Sequence, residues 1–349
     1  MDTLNSQGGG MAFDWGLFRL DVRRDVRNCA LFLFFFYAVN ILASIIFIAA
    51  SILRDPAVSE QLLKMIRSLA EGTGNITVLD IQNYISEVLN VSEALLGLAS
   101  MIGIVAGGLV FLILRKRRFF TDIALPAAEP ITPKIFIILV VVTQCVQVVY
   151  GLIIMMIDNL MPEGLSLQDN YSSTMETLFT PVGLVYVVLI GPIFEELIFR
   201  GAIMGTLRRF GDNFAILFSS LLFGFYHMLI MQIPFAFVLG LLLGYVAARW
   251  SLRASIALHM VVNGLSALLS VSGSENLQSI ASFAMVACAI ATLVMAVNWR
   301  EQLKWRIRAG AAYYAHTFAN GFLSIAFWIF IVVMTGFGLL QLAPAAMPL

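Results

Sequence analysis

Charge is scarce in this chain of 349 residues: Asp, Glu, Lys and Arg together make up 12%, and 21 basic residues balance 21 acidic ones. A net charge of zero without a basic stripe excludes nucleic acid as a partner, because phosphate binding needs clustered Lys and Arg. Cysteine is nearly absent. Cys29, Cys145 and Cys288 lie in or beside apolar runs, which excludes a disulfide framework and makes them small packing residues. There is no His-Glu-x-x-His pattern, so the helical zinc-protease signature is missing. No repeat of fixed period runs along the chain.

What is abundant is hydrocarbon. Apolar residues make up 60% of the chain, in runs much longer than a soluble core helix needs. A run of about 20 apolar residues spans the roughly 30 Å hydrocarbon layer. Candidate spans are 30–53, 94–114, 135–157, 182–205, 214–232, 235–250, 254–272, 277–298 and 318–341. The fold class is therefore all-α, a polytopic membrane helical bundle of about nine transmembrane helices, with the lipid bilayer as its surroundings. The first run exceeds the roughly 7–15 residues of a signal-peptide core and reads as an uncleaved anchor.

Basic residues orient the bundle, since they favour the cytoplasmic side. Arg19, Arg23, Arg24 and Arg27 precede the first span. Arg115–Arg118, Arg208–Arg209, Arg249, Arg253 and Arg300–Arg308 mark further ends on the same side, while Arg54, Lys64 and Arg67 fall opposite. Nine alternating crossings put the N-terminus in the cytoplasm and the C-terminus outside. The sparse loops suggest a bacterial cytoplasmic membrane. Four regions follow: a cytoplasmic tail over 1–29, transmembrane helices with outer loops over 30–179, a polar-centred core over 180–272, and further transmembrane helices over 273–349. Val78, Ile81, Ile85 and Val88 have helical spacing, so one or two surface helices are expected in the outer loop 54–93. Gly103/Gly107 and Gly240/Gly244 are small-xxx-small pairs, expected where helices pack closely.

Six polar residues stand where the chain should be apolar: Glu195, Glu196, Arg200, His227, His259 and Asn263. A charged side chain at a helix centre costs roughly 2.5–3.5 kcal/mol on insertion, so such groups pair or line a wet cavity and mark a functional site. Gly191-Pro192 precedes the first carboxylate, and a proline inside a helix frees a backbone carbonyl and kinks the chain. Adjacent Glu195 and Glu196 point about 100° apart, so they cannot share a role. Glu196 is four residues before Arg200, the favourable order for an ion pair on one helix face. Glu195 has no local partner. Counted from the turn near residue 210, Glu195 and His227 sit at one depth on antiparallel neighbours, where they can share a water molecule. A buried glutamate at that point could act as a base. His259 and Asn263 share a face and could hold an oxyanion, and His259 could equally bind a metal. His259 lies shallower, which predicts a cavity open toward the cytoplasmic side. A transporter pathway is a rival reading, disfavoured because the polar set is confined to one region.

The segments Glu195-Glu196-Leu-Ile-Phe-Arg200, Phe223-Gly-Phe-Tyr-His227 and His259-Met-Val-Val-Asn263 resemble the three motifs of the CPBP family, the CAAX proteases and bacteriocin-processing or immunity proteins also called ABI. The resemblance covers roughly residues 180–272. It implies an intramembrane endopeptidase acting on a peptide or protein substrate in or at the membrane. Glu195 would activate water with help from His227, His259 and Asn263 would stabilise the oxyanion, and Glu196 and Arg200 would support the site. It leaves two readings of the cofactor, a zinc ion on Glu195, His227 and His259, or no metal. A non-catalytic immunity or scaffold role is the alternative function.

Overall fold

The computed structural model describes residues 15–54, 59–60, 63–64, 66–67, 93–115, 129–162, 166–168, 171–172, 180–271, 275–298, 300 and 317–340. Among these there is no strand, and nine main helices form the bundle. They are α1 Trp15–Arg54, α2 Glu93–Arg115, α3 Pro133–Asp158, α4 Pro181–Phe210, α5 Asp212–Tyr226, α6 Gln232–Arg249, α7 Leu252–Val271, α8 Glu275–Asn298 and α9 Ile325–Leu340. Six of them contain a stretch long and apolar enough to cross a membrane, and α2, α5 and α9 hold shorter apolar stretches. The protein is thus an all-α, multi-pass integral membrane bundle, with six full-length spans among the described residues where the sequence suggests about nine.

The departures from the expected spans have local causes. The first helix begins at Trp15, well before residue 30, because nothing in its basic first turns breaks helix. The run expected over 214–232 is helical only to Tyr226. His227 caps it, and Met228 takes φ 56°, a left-handed turn that reverses the chain into α6. At about 1.5 Å per residue, the 15 residues of α5 reach only about 22 Å and cannot cross the bilayer. The run expected over 318–341 breaks after 317–322, where Leu323 and Ser324 make three-residue bonds back to Asn320 and Gly321. Asn and Gly hold helix poorly. The expected surface helices over 78–88 lie outside the described residues.

Small residues set the two closest helix pairs. On α2, Gly103 faces Asn40 and Ser44 of α1, and Gly107 faces Phe36. Ser44 Oγ donates to Ala99 O at 2.8 Å across the same seam. The residue numbers run oppositely, so the pair is antiparallel. A Cβ on Gly103 would stand 2.8 Å from the Asn40 carbonyl oxygen, closer than side chains tolerate. Likewise α6 lays Gly240 on Ser220 and Gly244 on Ile216 of α5. Both sequence pairs are contact points, as the small-residue rule predicts. Around them packs an aromatic core that includes Phe199, Phe214, Phe218 and Phe223, all 1% exposed or less.

Polar links join the basic helix ends. Arg209 in the last turn of α4 pairs with Asp25 of α1 at 2.5 Å. Arg23 donates to Asn320 at 3.3 Å, and Arg249 at the end of α6 pairs with Glu129, just before α3, at 2.9 Å. These contacts gather the start of α1, the ends of α4 and α6, and the approach to α3 at one end of the bundle, the alternation the charge pattern requires.

Candidate active site

The site is built on an irregular helix. Thr180 caps α4 by accepting from Gly183 N at 3.1 Å, with Pro181 in the first turn. The helix then widens into π geometry over Tyr186–Ile190, tightens to α over Gly191–Glu196, and widens again over Leu197–Met204. Such π turns commonly mark functional sites. Gly191 N bonds Tyr186 O, five residues back. In that register the next donor, at 192, would reach Val187 O, but Pro192 has no N–H. Asn263 of α7 supplies the missing donor, with Nδ2 2.9 Å from Val187 O. The proline's cost is met by a side chain from another helix, as membrane burial demands.

Glu196 and Arg200 sit one turn apart on α4, buried at 0% and 3% exposure. Arg200 Nη1 donates to Glu196 Oε1 at 2.9 Å, the pair the sequence spacing predicts. Arg200 Nη2 donates to Gly240 O at 3.1 Å, and its guanidinium lies 4.3 Å from the Phe223 ring centroid. Gly240 gives Arg200 this room: a Cβ there would stand 3.2 Å from Nη2, tighter than ordinary contact. The other Glu196 oxygen, Oε2, accepts from Ser255 Oγ at 2.5 Å.

Ser255, His259 and Asn263 recur every four residues and form one stripe on α7. His259, 2% exposed, places Nδ1 3.1 Å from Glu196 Oε1 and Nε2 3.7 Å from Glu195 Oε2. An ionised Glu196 can only accept, so Nδ1 carries a proton and Nε2 faces Glu195. His227 places Nδ1 2.8 Å from Phe223 O. A carbonyl also only accepts, so this nitrogen is the protonated one and Nε2 is left for the cavity.

That cavity is about 410 Å³, and its walls include Glu195, His227, His259 and Asn263. Glu196 and Arg200 are not in its wall; they stand behind it as a buried support. All six sequence-selected residues therefore belong to one cluster. Several polar residues around the site were not picked out in the sequence, Ser255, Tyr226, Asn40 and Ser100 among them. Ser255 was legible as the i−4 neighbour of His259. Tyr226 sits beside His227, inside the second motif. Asn40 of α1 and Ser100 of α2 also line the cavity and carry no sequence signal, because only tertiary packing brings them there.

The cavity is lined by Tyr186 near the start of α4, by Leu229 between α5 and α6, and by Gln232 at the start of α6. These are the ends remote from Arg209 and Arg249. The cavity thus reaches toward the end of the bundle opposite those arginines. The cause is the short α5, whose turn at His227 leaves a hollow within the bundle. Zinc needs three protein ligands. Among the described residues no three His, Cys, Asp or Glu side chains form a group that could hold a metal ion, so the arrangement does not fit the zinc reading.

Residues 177–265 match the family described as type II CAAX prenyl endopeptidase Rce1-like, a segment that holds all three motifs, the helices α4 to α6 and the first part of α7. No curated protein and no solved structure matches the chain. Over that segment the chain is similar to the Rce1-like family, in agreement with the resemblance of its three motifs.

Proposed function

We propose that the protein is an intramembrane endopeptidase that hydrolyses a peptide bond of a membrane-associated substrate with a water molecule activated by Glu195. The observation that supports this most is the division between the two adjacent carboxylates. Glu196 is saturated by Arg200, His259 and Ser255, whereas Glu195 faces the cavity with its side chain 12% exposed. The two carboxylates thus occupy separate places, one inside a buried hydrogen-bonded cluster and one on the cavity wall.

Glu195 takes a proton from water held between it and Nε2 of His227, and the water oxygen bonds the scissile carbonyl carbon. Negative charge moves to the carbonyl oxygen, where hydrogen-bond donors on the cavity wall stabilise it. His259 Nε2–H, present when the ring is cationic, and the second N–H of Asn263 are donors in reach of that wall. The carbon–nitrogen bond then breaks, and Glu195 returns its proton to the leaving amine. Glu196 fixes the His259 ring, and Arg200 keeps Glu196 ionised and oriented. With the N-terminus in the cytoplasm, the cavity draws its substrate from the outer half of the bilayer.

The test is a cleavage assay of purified, detergent-solubilised protein on a library of membrane-associated peptides, with Glu195→Gln as the control. Cleavage by the parent and none by the variant supports the reading. No cleavage by the parent, or equal cleavage by both, contradicts it.

A further inference from the structure

The donors that the motifs supply for an oxyanion are partly committed. Asn263 Nδ2 bonds Val187 O, and both ring nitrogens of His259 face carboxylates. A reaction that develops charge on a carbonyl oxygen in this cavity needs a donor whose hydrogen is unspent.

Tyr226 is such a group. It is 9% exposed and lines the cavity beside His227. Its ring is clamped by three others: Phe199 at 5.4 Å, Tyr37 at 5.9 Å and Phe36 at 6.1 Å between centroids. The sealed polar side-chain atoms without a partner, among the described residues, are Gln144 Nε2, Arg200 Nε and Ser324 Oγ. The Tyr226 hydroxyl is not among them, and it makes no hydrogen bond to a described residue. A nearly buried phenol, unpartnered yet unsealed, keeps its opening on the space it lines. Glu195 lines the same cavity. Buried tyrosine hydroxyls normally find a partner, so an unpartnered one on a cavity wall points to a ligand.

We infer that the Tyr226 hydroxyl is a catalytic residue, donating a hydrogen bond to the substrate's carbonyl oxygen as it becomes an oxyanion. This rests on the endopeptidase reading. Water oxygen bonds the carbonyl carbon, the π electron pair moves to oxygen, and the O–H of Tyr226 holds that oxygen without giving up its proton. The pair returns when the amine leaves with the proton from Glu195. Tyr226 qualifies over Tyr37 and Tyr186, which also line the cavity, because both of those are only half-buried and Tyr226 is locked on three sides. Preorganisation is what makes such a donor effective.

The experiment compares parent and Tyr226→Phe for kcat and KM on a peptide the parent cleaves, with thermal unfolding of both. Phenylalanine keeps the ring and its packing. The expected result is a kcat loss of about 100-fold or more, the scale for one oxyanion donor, with KM and melting temperature unchanged. Parental kcat overturns the inference while leaving the endopeptidase reading intact, and loss expressed only in KM assigns Tyr226 to ground-state binding and also overturns it. If Tyr226→Phe unfolds early, 3-fluorotyrosine at position 226 replaces it, since it keeps shape and sharpens the donor. A kcat unaltered by that replacement overturns the inference. A parent without peptidase activity on any peptide removes the reading on which it rests.

Discussion

His259 holds Nδ1 3.1 Å from Oε1 of Glu196, so the carboxylate that Arg200 anchors also fixes which nitrogen of His259 carries a proton. One buried carboxylate thereby orients the histidine that faces Glu195. This carboxylate–histidine coupling resembles the way outer partners tune catalytic groups elsewhere.

The coupling makes Arg200 a structural residue first. Arg200→Ala strands Glu196 as an unpaired buried charge, and breaking such a pair costs roughly 3–5 kcal/mol. Denaturant or thermal unfolding in detergent should show that loss. A variant that unfolds with the parent would mean that Glu196 is not held by Arg200.

Ser255 is a smaller test of the same cluster. Its hydroxyl donates to Glu196 Oε2 at 2.5 Å, inside a fully buried site. Ser255→Ala should lower stability by roughly 1.5–3 kcal/mol, the range for a hydrogen bond to a charged group. Unfolding measurements check the value, and a shift under about 0.5 kcal/mol, typical of an inert surface change, contradicts it.

Pro192 and Asn263 are expected to be coupled. Asn263→Leu leaves the Val187 carbonyl bare and should cost about 1–3 kcal/mol. Pro192→Ala restores an N–H that can take over that carbonyl, so the same Asn263→Leu change should cost much less in the Pro192→Ala background. A double-mutant cycle on unfolding free energies reads the difference directly. Strict additivity would show that Asn263 does not compensate for the proline.

Much of this cluster was legible in the sequence because its partners are local. Glu196–Arg200 and the Ser255–His259–Asn263 stripe both follow from helix spacing, and the three motifs fall in one cavity wall. What was not legible depends on where helices end. The run 214–232 is apolar throughout, so composition could not show that α5 stops at Tyr226. That stop, made by a left-handed Met228, moves the cavity toward the end away from the arginines. Asn40 and Ser100 are ordinary polar residues in apolar helices, and only the Gly103 seam between α1 and α2 brings them to the site.

The seam itself can be tested. Gly103→Ala places a methyl 2.8 Å from the Asn40 carbonyl oxygen, so α1 and α2 must part. Overpacking of this kind costs typically about 1–3 kcal/mol. The expected outcome is a lower melting temperature together with reduced peptidase activity, because Asn40 lines the cavity. An unchanged melting temperature would show that the seam is loosely packed.

The central claim is that Glu195 activates water while Glu196 does not, and one measurement addresses it most directly. Glu195→Gln keeps size and shape but cannot take a proton. Cleavage of a peptide that the parent hydrolyses should fall to background, while the unfolding curve stays with the parent's. Cleavage by Glu195→Gln at a rate comparable to the parent's would contradict the account.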